Sequence, residues 1–95
     1  METITVINEE WFDLSAKLNN ITLTNDKIYN IQSLENQIYC YKGTELPTEP
    51  VAGALINPVT QCFRFKFRTN DVVALRVNKT TVSKTSHITI MEIEE

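Results

Sequence analysis

Few residues in this chain could do chemistry, and His87 is the obvious place to begin because it is the only histidine among 95 residues. A zinc centre built on it would need Cys40 and Cys62, the only two cysteines, brought together from separate segments. The sequence offers no CxxC or HxxxH spacing, which is what short metal-binding loops require. A cysteine–histidine nucleophile pair needs a thiol placed at a helix start or an exposed glycine turn. Both cysteines instead lie inside strand-like runs, which predicts free, buried thiols and a hydrogen-bonded histidine. The adjacent acids Glu9-Glu10 and Glu94-Glu95 read as solvated charge rather than an acid/base pair. A phosphate-cradling loop is ruled out by there being only two glycines, Gly43 and Gly53, ten positions apart. The residues therefore argue for a protein that is not an enzyme and holds no cofactor or metal.

The chemistry that is organised lies in Gln61–Arg68, Gln-Cys-Phe-Arg-Phe-Lys-Phe-Arg. Side chains of a strand alternate between two faces. Phe63, Phe65 and Phe67 then share one face, and Arg64, Lys66 and Arg68 form a basic comb on the other, extended by Arg76 and Lys79. The comb suits an acidic protein partner, or it is a solvated face or keeps a sheet edge from pairing. Single-stranded nucleic acid would need aromatics interleaved with the cations on one face. Here they alternate to the opposite face, and the chain is acidic overall, with a net charge of −3 and a pI near 5.1. Nucleic acid is accordingly not the expected partner. A second candidate contact is the loop from Gly43 to Gly53, with Leu46, Pro47 and Pro50, next to Tyr39 and Tyr41, which would serve as an aromatic platform.

Positioning these residues requires strands. Residues 2–8 alternate Ile4 and Val6 with threonines and read as a first strand. Around Trp11 and Leu14 the pattern suits a short strand or a turn of helix, both residues facing inward. Ile21–Thr24 reads as a short strand, Lys27–Ser33 as the next, with Tyr29 and Ile31 on one face. Gln37–Lys42 places Ile38 and Cys40 opposite Tyr39 and Tyr41, and its two apolar faces suggest a central strand. Ala54–Ile56 is brief and apolar. The phenylalanine strand and Val72–Val77 read as a hairpin through Thr69-Asn70-Asp71. Asn78–Ser86 is polar, an exposed strand or a loop, and residues 87–93 form the last strand. The phenylalanines are expected to be buried with Tyr29, Ile31, Val73 and Leu75. The fold class that follows is all-β: a small antiparallel β-sandwich or barrel of about seven or eight short strands, in one domain spanning residues 1–95.

Composition agrees, with 42% hydrophobic and 22% charged residues. Residues 1–20 have no apolar run of signal-peptide length, and no stretch suits a membrane span, so no membrane contact is expected. The sequons at Asn20 and Asn78 read as chance matches.

From Trp11 to Val77 the order of features resembles small phage virion accessory proteins. Trp11 and the Leu14-Ser15 step are followed by Lys27-Ile28-Tyr29-Asn30-Ile31-Gln32, Ile38-Tyr39-Cys40-Tyr41, and the proline loop Leu46-Pro47-Thr48-Glu49-Pro50. Leu55-Ile56-Asn57-Pro58 then closes the pattern before a paired-strand second half. Such proteins are usually richer in glycine in that half, and Gln61–Arg68 departs from this. The resemblance implies a compact β-sandwich, without catalytic residues, that is made in the host cytoplasm and attaches to the capsid or tail of the virion. It also implies symmetric self-association, a trimer being favoured, which would cover strands that are apolar on both faces. The other reading is a small carbohydrate- or protein-binding module that uses Tyr39, Tyr41 and the proline loop.

Overall fold

In the computed structural model, which describes residues 2–7, 11–49, 52–78 and 85–93, the elements are β1 (Glu2–Ile7), β2 (Phe12–Asp13), α1 (Leu14–Lys17), β3 (Ile28–Ser33), β4 (Ile38–Gly43), β5 (Ala54–Ile56), β6 (Cys62–Lys66), β7 (Val72–Val77) and β8 (Thr85–Ile93). They form two four-stranded antiparallel sheets, ordered β1-β8-β3-β6 and β2-β7-β4-β5. The fold is thus a β-sandwich. The chain crosses between sheets at every connection except β4 to β5.

Period-2 alternation sets the core. In the first sheet the inward rows join Ile4 to Ile88, and Ile90 to Ile31 to Phe63. In the second, Ile56, Ile38 and Val77 share a row, and so do Cys40, Leu75 and Phe12. These residues meet in one core cluster with Tyr29, Phe65, Leu14 and Val73. The Tyr29 and Phe65 rings stack with centroids 5.6 Å apart. Alternation on β3, β4, β7 and β8 places the expected residues inward, and β4 is indeed an interior strand.

Three expectations are corrected. The pair β6 and β7 is not a hairpin: β6 pairs with β3, and β7 lies between β2 and β4 in the other sheet. Both strands have a strongly apolar face. Paired side by side they would build one layer, whereas placed in opposite layers they cover each other. A turn closed by the Asp71 N–H donating to the Arg68 carbonyl carries the chain across, with Asn70 at φ 77°. A positive φ at the third turn residue alone is the type II pattern, which asparagine tolerates.

Ile21–Thr24 forms no strand. Its backbone is satisfied by side chains instead. The Glu2 carboxylate accepts the N–H groups of Asn19, Asn20 and Ile21 at 2.6, 2.8 and 2.9 Å. The Tyr29 hydroxyl accepts from the Thr24 N–H and donates to the Thr22 carbonyl. Ile21 and Leu23 still pack against the core.

Only Phe65 of the three phenylalanines is fully buried; Phe63 and Phe67 are half-buried. Phe63 lies on the edge strand β6 and Phe67 just beyond it, where no further described strand continues the sheet. The segment before Thr85 that reads as polar lies, from residue 79 to 84, outside the described residues.

Candidate functional site

The residues singled out in the sequence fall on opposite sides of the sandwich. Arg64 and Lys66 project from the outer face of β6, and both are exposed. Their cross-strand neighbours on β3 are Asn30 and Ile28, neither of them acidic. Neither cation has an ion pair among the described residues. Arg68 leaves the comb: it lies beyond the strand and its guanidinium pairs with Asp26. Its partner is held by the turn Thr24–Lys27, where Asp26 sits at φ 68° and the Lys27 N–H donates to the Thr24 carbonyl. The comb therefore has two free teeth. Arg76, on β7, is in the other sheet, and Lys79 lies outside the described residues.

The backbone of β6 is as informative as its side chains. The Phe67 N–H donates to the Lys27 carbonyl at 2.9 Å. In an antiparallel ladder, hydrogen-bonded and non-bonded pairs alternate. By that parity Phe65 and Phe63 bond to Tyr29 and Ile31, while the N–H and C=O groups of Cys62, Arg64 and Lys66 point away from β3. One of these is engaged: the Lys66 carbonyl accepts from Lys42 Nζ at 3.0 Å, and the same ammonium stands 3.7 Å from Asp71. Lys42 thereby ties the two sheets together at that corner.

Tyr39 and Tyr41 lie on the outer face of the other sheet, each half-buried. Trp11 packs against both, with ring centroids at 6.4 and 6.3 Å. Trp11 is buried, as the sequence suggests, but on this outer side rather than in the core. Its indole N–H donates to the Glu49 carbonyl at 2.7 Å, so the proline loop folds back over the aromatic cluster. Pro47 is half-buried and Leu46 exposed, as is Leu55 opposite Tyr39. Pro50 lies outside the described residues. With Trp11 packed on both half-buried tyrosines, the cluster is not an open stacking platform.

Cys40 is buried in the core, and desolvation pushes its thiol well above the ordinary range. Cys62 corrects the expectation of two buried thiols: it is exposed, because on β6 it shares the outer face with Arg64 rather than the phenylalanine face. The two are free, and they face different sides of different sheets. His87 Nδ1 lies 2.6 Å from the Glu35 carboxylate at the exposed end of the first sheet. No group of three or more His, Cys, Asp and Glu side chains able to hold a metal occurs among the described residues.

One feature was not legible in the sequence. Val59 stands at φ 64°, and the Thr60 N–H donates to the Pro58 carbonyl at 2.7 Å, which makes Val59 the centre of a positive-φ γ-turn. The turn is pinned from both sides: Val59 N–H donates to the Ser33 carbonyl, and Gln32 Nε2 donates to the Val59 carbonyl. The valine side chain is left 64% exposed, beside exposed Leu34. Nothing short of the structure signals this, since asparagine–proline marks a turn but not its type.

No family model matches this sequence, and no curated protein or solved structure matches it either.

Proposed function

We propose that this chain is a non-enzymatic structural protein of a phage particle, attaching to an acidic surface of the capsid or tail through the outer face of β6. The observation that carries the reading is the pair Arg64 and Lys66. They are exposed, and among the described residues they have no ion pair and no acidic cross-strand partner, on a chain whose net charge is −3. Arg68, by contrast, is tied to Asp26 within the fold. The order of sequence features seen in small virion accessory proteins supports the same reading, as does a symmetric oligomer, a trimer first among them.

A second reading rests on the opposite face. Tyr39 and Leu55, paired across β4 and β5, give it an apolar patch, which suits a protein contact.

Co-sedimentation with purified particles tests the first reading. Arg64→Glu with Lys66→Glu should abolish attachment with the melting temperature unchanged, and half-molar salt should weaken attachment of the parent, as exposed ion pairs are screened. Attachment that survives both would transfer the interface to Tyr39 and Leu55. Sizing of the purified protein reports the oligomer.

A further inference from the structure

We infer that β6 is a strand-accepting edge, and that its occupant is an extended acidic segment of a partner protein, added antiparallel as a fifth strand of the first sheet. The inference rests on the docking reading above and specifies its geometry. Three observations converge on the same strand.

The first is the backbone. β6 ends its sheet, and the outward N–H and C=O groups belong to Cys62, Arg64 and Lys66. Among the described residues none of them has a ladder partner, and only the Lys66 carbonyl is engaged, by the Lys42 side chain; the rest are the template that β-augmentation uses.

The second is charge. Two of these three residues, Arg64 and Lys66, also carry cations without an ion pair among the described residues. In a hydrogen-bonded antiparallel pair the two side chains stand side by side on one face, about 4.5–5.5 Å apart at Cβ. A partner strand with acids two residues apart would set one carboxylate against Arg64 and the next against Lys66. A second copy of β6 suits the edge less well. In-register pairing about Arg64 puts Arg64 against itself, and pairing about Phe65 puts Arg64 against Lys66, and like charges directly opposite are unfavourable.

The third is the other face. Phe63 and Phe67 remain half-buried where the core meets this edge. The residue between the partner's two acids would point to that side. An apolar residue there, and its neighbours two positions away, would complete the cover that the fold leaves open. The recognised segment is therefore an alternation of acid and β-branched or aromatic residues.

The probe is a nine-residue peptide alternating glutamate and valine, added to the full-length protein while amide exchange is followed residue by residue. The amides of Arg64 and Cys62 should slow on binding, while those of Phe63 and Phe65, already bonded to β3, should not change. Affinity should fall at least about fivefold in the Arg64→Glu, Lys66→Glu protein, from two exposed cross-strand pairs. A peptide N-methylated at the glutamates, which keeps the charge but removes the donors, should not bind. Three results would overturn the inference: no binding of the alternating peptide, binding unaffected by N-methylation, or self-association through β6 with the peptide excluded. If the N-methylated peptide binds as well as its parent and binding still depends on Arg64 and Lys66, electrostatic docking stands and strand addition falls. If particle attachment ignores both residues while the peptide adds a strand, the docking reading falls instead.

Discussion

Glu2 shows how much one side chain can organise. Its carboxylate is buried and accepts three consecutive backbone N–H groups after α1, which hold its pKa below the ordinary carboxylate value, the bond from Asn19 most of all. A lowered folded-state value means that the stabilisation is complete above the ordinary carboxyl range and is lost as pH falls through the lowered one. Glu2→Gln should therefore melt below the parent at neutral pH, and the gap should close in acid, as read by thermal melts across pH. Phe65, 5% exposed and stacked on Tyr29, should cost about 3–5 kcal/mol when replaced by alanine. Phe63→Ala should cost less, about 1–2 kcal/mol, because that ring is only partly buried. A thiol reagent should label Cys62 at once in the native protein and Cys40 only on unfolding, since Cys40 is buried and its thiolate is disfavoured. Val59→Gly should raise stability by about 1 kcal/mol in denaturant melts, because glycine takes the positive φ without a Cβ clash. Equal melting of Val59→Gly and parent would mean that the strain relieved is no larger than the chain entropy that glycine adds.

Among the elements, most strand faces were legible and their pairing was not. Alternation identified the inward residues of β3, β4, β7 and β8 because an apolar period of two leaves one face to bury. It could not tell that β6 and β7 lie in different sheets. Two apolar-faced strands joined by Thr69-Asn70-Asp71 suit a hairpin and a crossover equally, and only the total core decides. Exposure at the edge was also beyond reach: Phe63, Phe65 and Phe67 share a face, yet position in the sheet makes only the middle one fully buried. The comb was legible as a pattern, and its third tooth was not, since Asp26 is drawn to Arg68 by a turn 42 residues away in sequence. Alternation puts Tyr39 and Tyr41 together on the face opposite Ile38 and Cys40, but nothing in it brings Trp11 to them; the indole packs there because the chain enters β2 on that side. Trp11→Phe should loosen the proline loop by removing the indole donor to Glu49. Faster amide exchange or proteolysis between Thr44 and Glu49 would register it, and no change would show the loop is held by packing alone.

At the scale of the molecule, the two candidate surfaces face apart. The basic edge and the aromatic face could thus serve two partners at once, one on each side of a thin sandwich whose extents are 36 × 26 × 21 Å. The interleaved strand order has a further consequence, and it concerns time rather than contact. Only β4 and β5 pair with a neighbour in sequence; β1 waits for β8, β2 for β7, and β3 for both β6 and β8. Almost no sheet structure can close until distant segments meet, and such topologies fold slowly, in roughly milliseconds to seconds. Stopped-flow refolding should fall in that range. The strand that both β1 and β3 await is β8, the last of the described strands; β3 can pair with β6 on its other side beforehand, but during synthesis β1 and the β8-facing side of β3 would stay open until nearly all of this sequence had left the ribosome.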